Sequence, residues 1–347
     1  MLLYRDPVFR LHRQADGHPE RPERLEAVDH MLERAPFASA LRPGNPRDAT
    51  EDELATVHSR AYIREVAASS GIASTRFDGD TAANAHSYAA ARRAAGSAIA
   101  AVDAVLDGPD CRAFVLSRPP GHHAEATHAM GFCFFNNAAI AAEHALRRGL
   151  DRVCIIDWDV HHGNGSMHSF YDRSDVLYAS VHEHPLFPGT GRFGDIGHGA
   201  GEGCTVSCPL PAGCGDADYL YLLRNLVYPV AHEFSPDLVI VSAGYDAHHR
   251  DPLASMKLSS TVYSAFAALD CELADSCAGG RLLYLLEGGY DTRALSEGVQ
   301  ASLQVLTGYE APETPDSEAG AAVRESTERL RTLYQPYWPT LERFRRT

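Results

Sequence analysis

Four apolar runs in this chain each break into polar side chains at the same end. "RAFVLS" (112–117) runs into "RPPGHH", "RVCII" (152–156) into "DWDVHH", "DLVIVSA" (237–243) into "GYDAHH", and "RLLYLL" (281–286) into "EGGYD". Each run is short, unbroken and rich in β-branched or aliphatic residues, as a strand buried on both faces must be. Between the runs lie segments with apolar residues at helical spacing: 135–149, 218–234, 261–277 and 292–306. "DVLYASVH" (175–182) is a further strand, "MLLYRD" at the start is another candidate, and 81–107 reads as helix. The alternation predicts an α/β fold with a mostly parallel sheet covered by helices on both faces. In such sheets the ligand crevice lies outside the carboxyl ends of the strands. The four polar clusters, more than a hundred residues apart at their extremes, are therefore expected to meet in one place.

Nothing else in the chain competes with that reading. With 347 residues and 45% hydrophobic content it can bury a large core, and it shows no repeat or linker. A single domain over 1–347 is expected, with its motifs between about 10 and 305. The stretch 185–215 is rich in Gly and Pro and reads as loop, 309–320 as an exposed loop, and 321–347 as a helical extension with a basic end, "RFRRT". The net charge of −15 argues against direct binding of nucleic acid or acidic membranes, while a cationic substrate would not be repelled. Arg5 and Asp6 interrupt the N-terminal stretch before any signal-like apolar run forms, and no run of about 18 apolar residues predicts a membrane span. Eight cysteines without a C-x-x-C pair read as reduced thiols, so a cytoplasmic setting is expected.

The chemistry starts at residues 157–162. In extended chain, side chains at i and i+2 point the same way, so Asp159 and His161 can offer a carboxylate and an imidazole to one cation. Asp246, at the end of another strand, is the best-placed third ligand. Two carboxylates and one imidazole leave coordination positions open, as a catalytic zinc site requires. Alone, "DVHH" would serve equally as a capping Asp with surface histidines; the three companion clusters decide against that. His122 and His123 follow a turn stiffened by Pro119, Pro120 and Gly121, and such a pair suits acid–base work. Asp157 and Asn164 are the candidates to fix their protons. Tyr290, after two glycines, can donate from a neutral phenol to a developing oxyanion. Taken by itself, "LLEGGYD" would be read as an ordinary amphipathic Tyr at a sheet edge.

Together these residues resemble the histone deacetylase superfamily, in particular its class II-like bacterial deacetylases and acetylpolyamine amidohydrolases. The resemblance is carried in order by "HPERPERL" (18–25), "SRPPGHHA" (117–124), "GFCFFNNAAIAA" (131–142), "DWDVHHGNG" (157–165), "LFPGTG" (186–191), "SAGYDAHHRDPL" (242–253) and "LEGGY" (286–290). It implies the arginase–deacetylase fold, with a central eight-stranded parallel sheet, and hydrolysis of an acetamide to amine and acetate. It implies Asp159, His161 and Asp246 as zinc ligands, with iron(II) as the alternative ion. His123 then matches the general base, with Asn164 behind it, and His122 its electrostatic partner paired with Asp157. Tyr290 matches the group that polarises the scissile carbonyl. Asp157 and Ser180 match ligands of a structural potassium, with main-chain groups of Asp159, His161 and Val181. Gly131, Phe132 and Phe187 match the substrate tunnel, and Arg24 a buried arginine behind the site.

Departures from the family pattern carry information. Asn164 stands where class I relatives carry Asp, which should leave His123 less basic. Leu253 stands where polyamine-selective relatives carry an acidic gatekeeper, which favours acetyl-lysine or a neutral acylated amine over acetylspermidine. Asp78 and Asp80 both lie where relatives grip the substrate backbone, and Asp80-Thr81 could equally start a helix. His128 and His249 read as solvated loop residues, and His162 as a structural hydrogen-bonding residue. An acetylpolyamine amidohydrolase, a longer-chain deacylase and a noncatalytic acyl-lysine binding module are the alternatives, with self-association left open. A binuclear ureohydrolase is disfavoured because position 163 is Gly, where D-x-H-x-D chemistry needs a carboxylate.

Overall fold

The computed structural model describes residues 1–309 and 318–343. Among the described residues there are ten strands: β1 Leu2–Tyr4, β2 Arg42–Pro43, β3 Thr75–Arg76, β4 Ala82–Ala83, β5 Arg112–Val115, β6 Val153–Asp157, β7 Val176–Glu183, β8 Thr205–Leu210, β9 Leu238–Ala243 and β10 Leu282–Leu286. Eight of them form one sheet in the order β2-β1-β5-β10-β9-β6-β7-β8, and every pairing is parallel. β3 and β4 make a separate antiparallel ribbon. This is the eight-stranded arginase–deacetylase arrangement.

The period of two divides each strand between two cores. Cys154 and Ile156 of β6, Val239 and Val241 of β9, and Tyr284 and Leu286 of β10 face one core, shared with helices 23–32, 262–277 and 292–306. Val153 and Ile155, Leu238 and Ile240, and Leu283 and Leu285 face the other, under helices 87–107 and 137–147. The central strands are wholly buried, which explains why their sequences are continuous apolar runs rather than alternating ones.

Two sequence expectations are corrected. The stretch 185–215 is not all loop, because Thr205–Leu210 forms the edge strand β8. Helix 87–107 begins six residues later than expected, since Ala82–Ala83 pairs with β3; Asp80 and Thr81 therefore do not start it. Most of the expected loop 309–320, and the basic end, lie outside the described residues. The segment 321–333 is helical, as Ala321–Tyr334, and it is joined to the sheet edge: the Tyr334 hydroxyl donates to Thr205 O at 2.9 Å and accepts from Ser207 N at 3.0 Å. No described helix is long and apolar enough to cross a membrane.

Candidate active site

The ends of β5, β6, β9 and β10 lie side by side in the middle of the sheet, so the four polar clusters meet as the alternation predicts. β6 ends at Asp157 and the chain bends sharply, carrying Asp159 and His161 to one side. Asp246 follows β9. Ligand atoms of Asp159, His161 and Asp246 lie within 4.8 Å of one another, and all three residues are buried. His161 Nδ1 sits 3.3 Å from Asp159 Oδ1 and 3.1 Å from Asp246 Oδ2. The remaining carboxylate oxygens are held by backbone: Gly288 N donates to Asp159 Oδ2 at 2.7 Å and Val160 N to Asp246 Oδ1 at 2.9 Å.

Two carboxylates buried together demand positive charge. Burial pulls the His161 imidazole's pKa down, but hydrogen bonds to Asp159 and Asp246 outweigh it and raise it to about 10. Burial pushes the Asp246 carboxyl up, with the Asp159 charge adding to it, while the nearby imidazoles hold Asp159 low despite its own burial. A nitrogen and two hard oxygens, converging and with backbone amides orienting the far oxygens, fit a divalent cation of the zinc type. Glycine is required where these groups crowd: a Cβ on Gly288 would stand 2.0 Å from Asp246 Oδ2.

The tandem histidines have different partners. His122 Nδ1 is 3.0 Å from Asp157 Oδ2, which also accepts from Tyr178 Oη at 2.9 Å. Burial would discharge His122, yet the charges of Asp157, Asp159 and Glu287 lift it to about 10. His123 Nδ1 is 2.8 Å from Asn164 Oδ1, a neutral partner. Burial, with the charges of His122 and His161 adding to it, drops His123 well below the usual imidazole value. The carboxylate behind one imidazole thus favours its charged form, while burial and the neighbouring charges favour the neutral form of the other.

Tyr290 is buried, and its ring packs edge-on against Phe132 with centroids 5.7 Å apart. The Arg24 guanidinium lies 4.9 Å over its face. Arg24 Nε donates to Gly289 O at 2.7 Å, tying the glycine turn to helix 23–32. Burial raises the Tyr290 phenol well above its usual value, so it is a neutral donor. Phe132 adopts φ +69 directly after Gly131 at φ +55, and its amide donates to Thr81 Oγ1 at 3.0 Å. A left-handed aromatic residue is strained by about 1–3 kcal/mol, and such strain marks positions where side-chain aim matters. Phe187, 40% exposed, stands edge-on to His123 at 5.1 Å. Phe132, Phe187 and Tyr290 thus stand around the histidines and carboxylates, and Leu253 is half-buried just past β9.

Asp157 and Ser180 are partners in register across β6 and β7, and the Ser180 hydroxyl lies 2.9 Å from His182 Nδ1. His162 Nδ1 bonds Thr190 Oγ1 at 2.7 Å, away from the carboxylates. Asp78 and Asp80 take different places. Asp78 Oδ1 accepts from the amides of Asp80 and Thr81 and so holds its own turn, whereas Asp80 is exposed. His128 and His249 are exposed, His249 lying against the buried His248.

Several residues at the site escaped the sequence reading. Glu287 is wholly buried and accepts from the amides of Gly121 and His122 at 2.7 and 3.2 Å, clamping the histidine turn to β10; burial raises it to about 7. Its place at a strand end was the signal that could have found it. Asp251 accepts from the Tyr290 amide at 2.6 Å. Glu20 binds Arg118 with both oxygens, Arg24 at 3.2 Å and His12 at 3.2 Å, all fully buried. Glu125 stands behind Asn164 at 2.5 Å.

Comparison with known proteins gives a consistent picture. A family model described as "Histone deacetylase domain" matches residues 18–306. "Histone deacetylase 15" of Arabidopsis thaliana is 40% identical over 339 residues, covering 94% of this chain and 60% of that protein. The chain therefore spans about 60% of that relative's length. "Histone deacetylase-like amidohydrolase" of Pseudomonas aeruginosa is 41% identical over 278 residues, covering 80% of this chain and 73% of that protein. A solved structure titled "Crystal Structure of HDA15 HD domain" superposes with TM-score 0.91 at 38% identity, covering 98% of this chain and 96% of that one.

Proposed function

The chain belongs to the histone deacetylase family, and from that premise we propose that it is a metal-dependent amidohydrolase acting as one catalytic domain. It removes the acetyl group from N-acetylated lysine or a small acetylated amine, giving free amine and acetate. The observation that carries this reading is the meeting of Asp159, His161 and Asp246 beside two adjacent histidines, one backed by the carboxylate of Asp157 and the other by the amide of Asn164, and a buried phenol.

Asp159, His161 and Asp246 would hold the divalent ion, zinc or alternatively iron(II), and Asp157 and Ser180 a potassium. When bound, the divalent ion supplies a Lewis acid that acidifies water toward neutral pH and polarises an amide carbonyl. His123, neutral and held through Nδ1 by Asn164, takes a proton from the attacking water on its Nε2. It returns that proton to the departing amine as the C–N bond breaks. His122, paired with Asp157, keeps a positive charge beside the reacting carbon. Tyr290 donates a hydrogen bond to the carbonyl oxygen as negative charge gathers on it. Gly131, Phe132 and Phe187 bind the substrate's methylene stem in an apolar passage, and exposed Asp80 rather than Asp78 is free to meet a substrate backbone amide. Leu253 offers no charge to a polyamine, which favours acetyl-lysine.

The test is a substrate panel of acetyl-lysine peptides, acetylpolyamines and longer acyl-lysines, each with and without a chelator. Chelator-sensitive release of acetate from the lysine peptides is the expected result. Silence on every acylated amine would leave an acyl-lysine binding module; a preference for acetylpolyamines would overturn the reading of Leu253.

A further inference from the structure

Glu125 sits one layer behind the histidine that the proposed function uses as base. Its Oε1 lies 2.5 Å from Asn164 Nδ2 and 2.8 Å from His168 Nδ1. The same amide offers Oδ1 to His123 Nδ1 at 2.8 Å, while Nδ2 also reaches His123 O at 3.1 Å and Met130 Sδ at 3.3 Å. Residues 168, 125, 164 and 123 thus form a chain from a half-exposed surface imidazole to the buried one.

The physical point is the direction of the amide. A primary amide has one accepting and one donating end of nearly equal shape, and rotation by half a turn exchanges them. With Oδ1 toward the ring, His123 must carry its neutral-state proton on Nδ1, leaving Nε2 bare. Flipped, Asn164 would present Nδ2 to the ring, Nδ1 would have to accept, and the proton would move to Nε2. That tautomer cannot receive a proton from water. The His123 carbonyl and the Glu125 carboxylate both accept only and both favour the Nδ2 end; the charged carboxylate, at 2.5 Å against 3.1 Å, does so more strongly and would repel Oδ1 at that distance. An aspartate at 164 would need no such selector, because either of its oxygens accepts.

We propose that Glu125 is a positioning residue which, through the amide of Asn164, fixes His123 in its Nδ1–H tautomer. This rests on the reading of His123 as the base. The experiment uses metal-loaded protein labelled with ¹⁵N in its histidines, the His123 signals being assigned by their loss in His123→Ala. The parent protein is expected to show a protonated Nδ1 and a bare Nε2. Glu125→Ala is expected to mix the two tautomers and to lower kcat on an acetyl-lysine peptide about tenfold or more, with KM unchanged. Adding Asn164→Asp to Glu125→Ala should restore one tautomer and recover most of the rate. An unaltered tautomer in Glu125→Ala overturns the proposal whether or not the protein turns over substrate. So does a loss that Asn164→Asp fails to relieve, since a merely structural carboxylate would not be replaced in this way. Inactivity of the parent protein on every acylated amine would instead sink the proposed function, and the tautomer measurement would still decide on Glu125.

Discussion

His122 and His123 are adjacent in sequence and opposite in chemistry. Their ring centroids are 4.0 Å apart, and what separates them is the residue behind each: a carboxylate, Asp157, or an amide, Asn164. The imidazole types and their place after a strand were legible in the residues themselves; the pairing came only from the family resemblance, because Asp157 and Asn164 are both near in sequence and spacing alone leaves either free to serve either ring. Glu287 was less legible still, since its work is done on amides 165 and 166 residues away. Tyr290 yields the clearest prediction at this scale. Tyr290→Phe keeps the ring that packs on Phe132 and lies under Arg24 but removes the donor. Turnover should fall about 10²–10³-fold while bound metal stays at the parent level, measured by elemental analysis beside steady-state kinetics. A variant with full turnover would remove the phenol from the mechanism.

At the scale of elements, strand ends place the ligands and glycines make room for them. The turn after β10 brings Gly288 so close to two carboxylates that a methyl group cannot fit. Gly288→Ala is expected to push Asp246 and Asp159 apart and weaken metal affinity by about 10–100-fold, read by competition with a chromophoric chelator; unchanged affinity would show that the turn can yield. A second prediction concerns the packing of helix 262–277 on the sheet. Asp270 is wholly buried there and accepts from Tyr228 Oη at 2.6 Å and from the Tyr284 hydroxyl. Burial raises its pKa to about 6 despite those bonds, against about 3.9 in an unfolded chain. Between about pH 4 and 6 the unfolded chain has shed this proton and the folded one still holds it. Stability is therefore fully present below pH 4 and is lost as pH rises through 6, by on the order of 3 kcal/mol. Relative to Asp270→Asn, the parent's thermal midpoint should fall across that window and run level above it. Parallel curves would refute the assignment. The helix and its apolar period were readable; the carboxylate on its buried face looked like any other polar position until Tyr284 met it from β10.

The whole molecule carries a net charge of −15, and its field adds to every local contact. A cationic acetyl-lysine peptide should be drawn to it. Its kcat/KM should fall as salt shortens the screening length from about 10 Å at 0.1 M to about 3 Å at 1 M, while an uncharged acetyl-lysine amide changes little. Equal salt responses would confine recognition to the passage itself. The sequence by itself determined the alternating parallel architecture and the strand ends that carry chemistry, because burial on both faces writes unbroken apolar runs and the polar residues can only follow them. It also supplied the Asp159, His161 and Asp246 set that the fold gathers within 4.8 Å, since that selection is a matter of donor chemistry. Edge strand β8 stayed hidden in a stretch of Gly and Pro, where short-range pattern is weakest. Only the tertiary structure decided the strand order that puts β5, β10, β9 and β6 side by side, which amide clamps which carboxylate, and how Glu20, Arg24 and Arg118 lock the N-terminal segment behind the site. Those are contacts between residues from 43 to 265 positions apart, and no local preference along the chain encodes a partner that far away.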